Sequence, residues 1–219
     1  RAAVEAKLPG PVPDPRYDAM APYLAGQRSV FIAAHSRREI VQALKFAETW
    51  KLKLVLVGAS DAWKVAAVLK DRGIPVIVGP VMKGFVTPGQ QPSMNEHDPF
   101  DAYYANAGRL HAAGVELAFQ SDDAANSRNL PFEAAMAVAY GLPPEVAEKA
   151  LTLGAARILG CESDTGSLAV GKRADFIVTD GSPLQPVTTI KAVGVAGTIH
   201  PPTSRHTRLN DKYRARLNK

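Results

Sequence analysis

Cysteine is nearly absent: Cys161 is the only one in 219 residues, which rules out an internal disulfide and a zinc site built from a cysteine cluster. It follows Gly160 at a predicted helix end, with no histidine close by in sequence and Glu162 beside it. A flanking carboxylate raises a thiol pKa, so Cys161 reads as packing rather than as a nucleophile. No run of about 18 apolar residues occurs, so no membrane-crossing helix is expected. The first residues also lack the charged start and apolar stretch of a secretion signal. The sequence opens on Arg1 rather than Met, so a signal upstream would not be seen, and no compartment is assigned. Internal repeats beyond strand and helix units are lacking too. With 46% hydrophobic and 21% charged residues, the composition is that of a globular domain with one sizeable core, neither disordered nor fibrous.

The formal charge of +5 and a pI near 9.4 suggest a nucleic-acid partner until the charge is located. Of 26 basic and 21 acidic side chains, six basic and one acidic lie in residues 205–219, leaving 20 of each sign in the other 204 residues. The body is therefore neutral. A basic chain end with no aromatic residue interleaved beyond Tyr213 reads as a solvated helix or strap, and no nucleic-acid partner is expected.

Prolines 9, 11, 13, 15 and 22 mark residues 1–29 as a connecting segment that cannot sustain helix or a central strand. VFIAAH (30–35), KLVLVG (53–58), PVIVGP (75–80) and VELAF (115–119) are short uninterrupted apolar runs, the pattern of strands buried on both faces. Helical periodicity separates them: Ile40, Leu44 and Ala47 after the first, then Val65, Val68 and Leu69 behind a cap at Ser60 or Asp61, then Tyr103, Ala107 and Leu110. Such alternation predicts a parallel sheet covered by helices. The stretch from Val81 to Pro99 is longer than connections usually are, which points to a functional loop. Helices are predicted over 131–141 and 143–160, followed by hairpin-like strands at 175–180 and 189–197. The pattern alone fits either half of a (β/α)8 barrel or a small doubly wound sheet.

GSLAVGKRADFIVTDGSPL (166–184) resembles the amidohydrolase superfamily, especially its imidazolonepropionase-related branch. Gly166 permits a turn, Gly171 and Lys172 make a tight connection between two strands, and Asp175 precedes an apolar strand. LTLGAARILG (151–160) and NLPFEAAMAVAYGLPPE (129–145) match the same family in the right order, so the resemblance covers about residues 30–198. It implies an α/β fold in which the four strands are barrel strands five to eight of a (β/α)8 TIM-type barrel. Residues 30–160 would then be half of the catalytic barrel, 161–198 part of a small β-sandwich, and 199–219 a basic tail.

Barrel enzymes carry their chemistry at the C-terminal ends of the strands. His35 ends the first strand, where the family's fifth strand supplies a histidine metal ligand, and imidazole suits zinc or iron. Asp122, just past the fourth strand, matches the eighth-strand aspartate that touches the metal and takes a proton from the attacking water, with Asp123 as the alternative aligned residue. The resemblance thus implies a divalent metal, zinc or iron, with His35 and Asp122 as ligands and Asp122 catalytic. Gly58 stands where family members with a full metal site have a second histidine, which leaves two ligands where a catalytic zinc takes three. His97 in the long loop, Asp123, and Arg37, able to pair with a carboxylate, are the candidate substrate contacts. His111, His200 and His206 fall outside the site.

The implied activity is hydrolysis of a cyclic-amide or related C–N bond in a small-molecule substrate, incomplete in this chain; the rival is a non-catalytic small-molecule binding protein of the same fold. Half a barrel exposes strand edges and an inner face, so the missing N-terminal half or self-association is the expected partner.

Overall fold

In the computed structural model, which describes residues 14–82 and 98–217, the proline-rich opening is not wholly irregular. Single helical turns form at Pro15–Asp18 (α1) and Ala21–Leu24 (α2). Proline is tolerated in a first turn, where its missing N–H would have no partner. Pro15 and Pro22 sit there, and the Arg16 amide donates to Asp14 at 2.9 Å. The connecting segment is thus partly helical, against expectation.

Four strands follow with helices between them: β1 Ser29–Ala34, α3 Arg37–Trp50, β2 Lys53–Gly58, a 3-10 turn Ala62–Val65 running into α4 Ala66–Asp71, β3 Val76–Val78, α5 Ala102–Ala112 and β4 Leu117–Phe119. Every pairing is parallel and the order is sequential, β1-β2-β3-β4, without the reversal that marks a doubly wound sheet. A capping box starts α3: the Glu39 amide donates to Ser36 Oγ, and Glu39 Oε2 accepts from the Ser36 amide at 2.9 Å and the His35 amide at 2.8 Å. Asp61, expected to cap the helix after β2, makes no cap bond there. Its carboxylate instead accepts from the Arg37 amide at 3.0 Å and pairs with Lys64 at 3.1 Å. The 3-10 entry also shifts the phase of α4, so that Leu69 is buried but Val68 is exposed.

A second 3-10 turn, Ser127–Asn129, leads into α6 Leu130–Ala139, then α7 Pro144–Leu151 and α8 Leu153–Leu159. The one helix expected over 143–160 breaks at Thr152 (φ −124°, ψ −100°). The break lets α8 lie against β4 so closely that a Cβ on Gly154 would come within 3.2 Å of the Leu117 carbonyl oxygen.

Register divides the sheet into two unlike faces. On one, Leu54, Leu56, Val76, Val78, Leu117 and Phe119 are buried in the main core under the helices. On the other, Val55 and Ala118 are covered by Ile158 and Ala155 of α8, but Ile77 and Val57 are only half-buried and Phe31 and Ala33 are exposed. The sequence pattern predicts burial on both faces; β1 in particular does not achieve it.

The chain ends in an antiparallel sheet of β5 Phe176–Thr179, β6 Ile190–Val195 and β7 Thr198–His200, then the exposed helix α9 Arg205–Leu217. Gly171 does make its turn (φ +88°), but residues 166–170 form no strand, and Leu168 and Val170 are exposed. A strand needs a neighbour for its backbone groups, and among the described residues that segment has none.

Candidate functional site

Because β1 to β4 run parallel, their C-terminal ends share one edge, where His35, Ser60, Pro80 and Asp122 each follow a strand within three residues. His97 lies outside the described residues.

Local backbone shape decides how His35 is held. Gly58 ends β2 at φ +82°, in the left-handed region that favours glycine. The His35 ring fills the space beside it: a Cβ on Gly58 would lie 2.4 Å from His35 Cε1. The imidazole Nδ1 is 3.5 Å from Ser60 Oγ. Beyond Ser60 stands Tyr103 of α5, whose hydroxyl donates to the Pro80 carbonyl at 2.6 Å. Burial pushes the Tyr103 phenol above its ordinary value, a hydrogen bond with Ser60 pulls it back, and the charges of Glu133 and Asp122 add to the rise. A cavity of about 10 Å³, the size of one water, lies among Gly58, Ser60, Val78, Tyr103 and Asn106.

Two buried polar residues brace this edge. Asn106, 1% exposed, accepts from the Trp63 amide at 3.0 Å and donates to the Ala59 carbonyl at 3.0 Å, pinning the loop after β2 to α5. Glu133, 3% exposed on α6, accepts from the Met82 amide at 2.7 Å and so holds the start of the long loop after β3. Gln120 Nε2 donates to the Gly79 carbonyl at 2.8 Å, tying the end of β4 to that of β3.

The two adjacent aspartates differ. Asp123 is committed to its own turn, accepting from the Asn126 amide at 2.8 Å and from Asn126 Nδ2 at 2.9 Å. Asp122 is exposed at φ +72°, a conformation that aspartate tolerates better than most residues. Arg37 is not turned into the strand-end cluster: it lines an open cleft of about 840 Å³ with Arg38, Lys45, Asp61, Lys64 and Asp98. Lys64 there meets Asp98 at 2.5 Å and Asp61 at 3.1 Å. Burial alone would lower its ammonium pKa, but the bonds to both carboxylates outweigh this and hold it above the ordinary value.

Two strands separate His35 from Asp122, about 14 Å along a flat sheet at a spacing of about 4.8 Å, so curvature is needed to bring them together. Among the described residues, no group of three or more His, Cys, Asp or Glu is placed to hold a metal ion. The space that a second-strand histidine would need is occupied by the His35 ring. These residues do not by themselves form a metal centre.

Sequence reasoning passed over Ser60, Tyr103, Asn106 and Glu133, taking the first two as a cap and a helix face. A carboxylate within the apolar helix LPFEAAMAVA and an amide among alanines in α5 were the available signals.

Residues 98–203 match the amidohydrolase family. An imidazolonepropionase of Parabacteroides distasonis is 39% identical over 79 residues, 34% of this chain and 19% of that protein. A 5-methylthioadenosine/S-adenosylhomocysteine deaminase of Bacillus thuringiensis is 36% identical over 89 residues, 36% of this chain and 20% of that protein. Among solved structures, an amidohydrolase from Thermotoga maritima superposes with a TM-score of 0.74 at 26% identity, over 90% of this chain and 50% of the other. The chain thus spans about half the length of that structure, and its matches cover about a fifth of the two curated relatives.

Proposed function

We propose, from the premise that this chain carries amidohydrolase-superfamily sequence and fold, that it is the C-terminal half of a hydrolase of cyclic-amide or related C–N bonds. In this reading β1 to β4 are barrel strands five to eight, and residues 161–198 are part of a β-sandwich completed from elsewhere. The observation that carries it is the sheet: four parallel strands in sequential order, one face packed by helices, the other covered by α8 at Val55 and Ala118 and bearing exposed Phe31 and Ala33. That is how a barrel wall is built, with its inner face awaiting the remaining strands.

His35 and Asp122, at the ends of the first and last of these strands, take the chemistry. Asp122, exposed just past the end of β4, accepts the proton of the attacking water as its oxygen bonds to the carbonyl carbon. It then returns that proton to the leaving nitrogen as the C–N bond breaks. His35 orients the substrate or the water from the opposite wall. The two residues supply at most two donors, so a zinc or iron centre requires ligands from outside the described residues. Arg37 and Asp123 are left as outer contacts of a small-molecule substrate.

Turnover of a panel of cyclic amides and ring amines by the full-length protein tests this. Asp122→Asn and His35→Ala should each lower kcat by about 10²-fold or more while the fold persists. Undiminished turnover in both variants would remove the assignment. A binding protein of the same fold is the second reading, favoured by the absence of any side chain at Gly58; saturable binding with no turnover would select it.

A further inference from the structure

Three cations on one flank of α3 have no counter-charge in the fold. The cleft of about 840 Å³ beside that helix is lined by four cations, Arg37, Arg38, Lys45 and Lys64, and by two carboxylates, Asp61 and Asp98. Both carboxylates bind Lys64, at 3.1 Å and 2.5 Å, and Asp61 also takes the Arg37 amide. Among the described residues, the Arg37, Arg38 and Lys45 side chains form no ion pair. Glu39, the acid nearest them in sequence, has its carboxylate on the Ser36 and His35 amides and does not line the cleft. Residues 37, 41 and 45, and likewise 38, 42 and 45, are three or four positions apart, so these side chains share one face of the helix.

The helix gains nothing from them. Cations in a first turn oppose the positive end of the helix dipole, and like charges at this spacing repel. The amides at the helix start are already taken: those of His35 and Ser36 donate to Glu39, that of Arg37 to Asp61 and that of Glu39 to Ser36. Whatever the cleft attracts must therefore be held by its side chains. A residue choice that local rules disfavour, and that nothing inside the fold offsets, points to a partner from outside.

We propose that this cleft binds the phosphoryl group of a small soluble ligand through Arg37, Arg38 and Lys45. Four cations and two carboxylates give its lining a net charge of +2, which a phosphate monoester dianion neutralises and a monocarboxylate does not. Guanidinium forks match pairs of phosphate oxygens, and Lys45 adds a point charge. The cleft is much larger than a phosphate, so the space along Val41 and Gln42 is left for the organic part of the ligand. A lipid headgroup offers the same chemistry, but walls on both sides, α3 and residues 61–64, suit a free molecule better than a bilayer surface. The site does not depend on the hydrolase reading, because it is measured as binding without turnover.

Titration calorimetry of the full-length protein with inorganic phosphate tests it, in about 50 mM salt to limit screening and at about pH 8, where phosphate is a dianion. Saturable binding is expected, with a Kd of about 1 mM or tighter. The double variant Arg37→Gln/Arg38→Gln should weaken it about tenfold or more, and propionate should bind the wild type about tenfold more weakly than phosphate. Arg157→Gln, at an exposed cation of the cleft around the opposite ends of the strands, should leave phosphate binding unchanged. Arg37 and Arg38 are exposed, and without phosphate their double variant should melt no lower than the wild type, since repulsion is removed. A lower melting point would mean that the two arginines serve the fold, and would count against the site. No saturable heat in the wild type, equal affinity in the double variant, or equal binding of propionate overturns the proposal. Vesicles of phosphatidic acid should not retain the protein on sedimentation; retention that the double variant loses would overturn the assignment to a soluble ligand.

Discussion

Gly58 and Gly73 both adopt positive φ, +82° and +62°, but only Gly58 has a neighbour in the space a Cβ would take. Alanine at either position carries left-handed strain of about 1–2 kcal/mol. Gly58→Ala must also displace the His35 ring, so it should cost about 1 kcal/mol more than Gly73→Ala, measured by urea unfolding; equal costs would mean the ring moves away freely. Asn106→Leu should be more damaging, by about 1–3 kcal/mol, because the Trp63 amide loses its acceptor in a buried setting and the Ala59 carbonyl is left with the Ala62 amide alone. A loss under about 1 kcal/mol in the same assay would show that the loop after β2 finds other partners. His35 and Asp122 were legible as candidates because strand ends can be located from apolar runs. Ser60, Tyr103 and Asn106 were not, because their significance lies in contacts between residues more than 20 positions apart, which periodicity does not encode.

Helix α3 carries its stop and start signals openly. Ser36 and Glu39 form the capping box, and Ile40, Ala43, Leu44 and Ala47 make the buried stripe. Ser36→Ala should cost about 1 kcal/mol. Amides of Ser36 and His35 hold the Glu39 carboxyl below its ordinary value. Stability from a depressed carboxyl is present above the unfolded value, about 4.3 for glutamate, and is lost as pH falls through the folded one. The gap in urea midpoint between wild type and Glu39→Gln should therefore narrow on acidification below about pH 4; a gap independent of pH would place the effect in packing. Strands and helices with a strong single period were readable in this way. The break at Thr152 was not, since alanines and leucines run through it and only the close approach of Gly154 to β4 calls for it. The missing strand at 166–170 has a similar cause: its alternation is visible in sequence, but its pairing depends on a neighbour absent from the described residues.

At the scale of the whole molecule, the sequence carries more apolar surface than the chain buries. Parallel sheets are normally covered on both faces, and their strands read as continuous apolar runs for that reason. Here β1 has the sequence of a buried strand and the environment of an edge: Phe31 is 45% exposed, and Leu168 and Val170, far along the chain, are 76% and 107% exposed. Open edges and apolar faces of this kind favour association. The 219-residue chain by itself should elute in light scattering at twice its monomer mass or more, and a segment supplying the missing strands should convert it to a defined complex. Phe31→Lys places a charge on the bare face at a position already half exposed, so it should cost less than about 1 kcal/mol in stability while weakening both kinds of association. A monodisperse wild-type monomer, with the β1 amides protected from hydrogen exchange as well as those of β2, would mean that the sheet is complete as it stands. The barrel-half reading would then fall, while the parallel order of its strands would not.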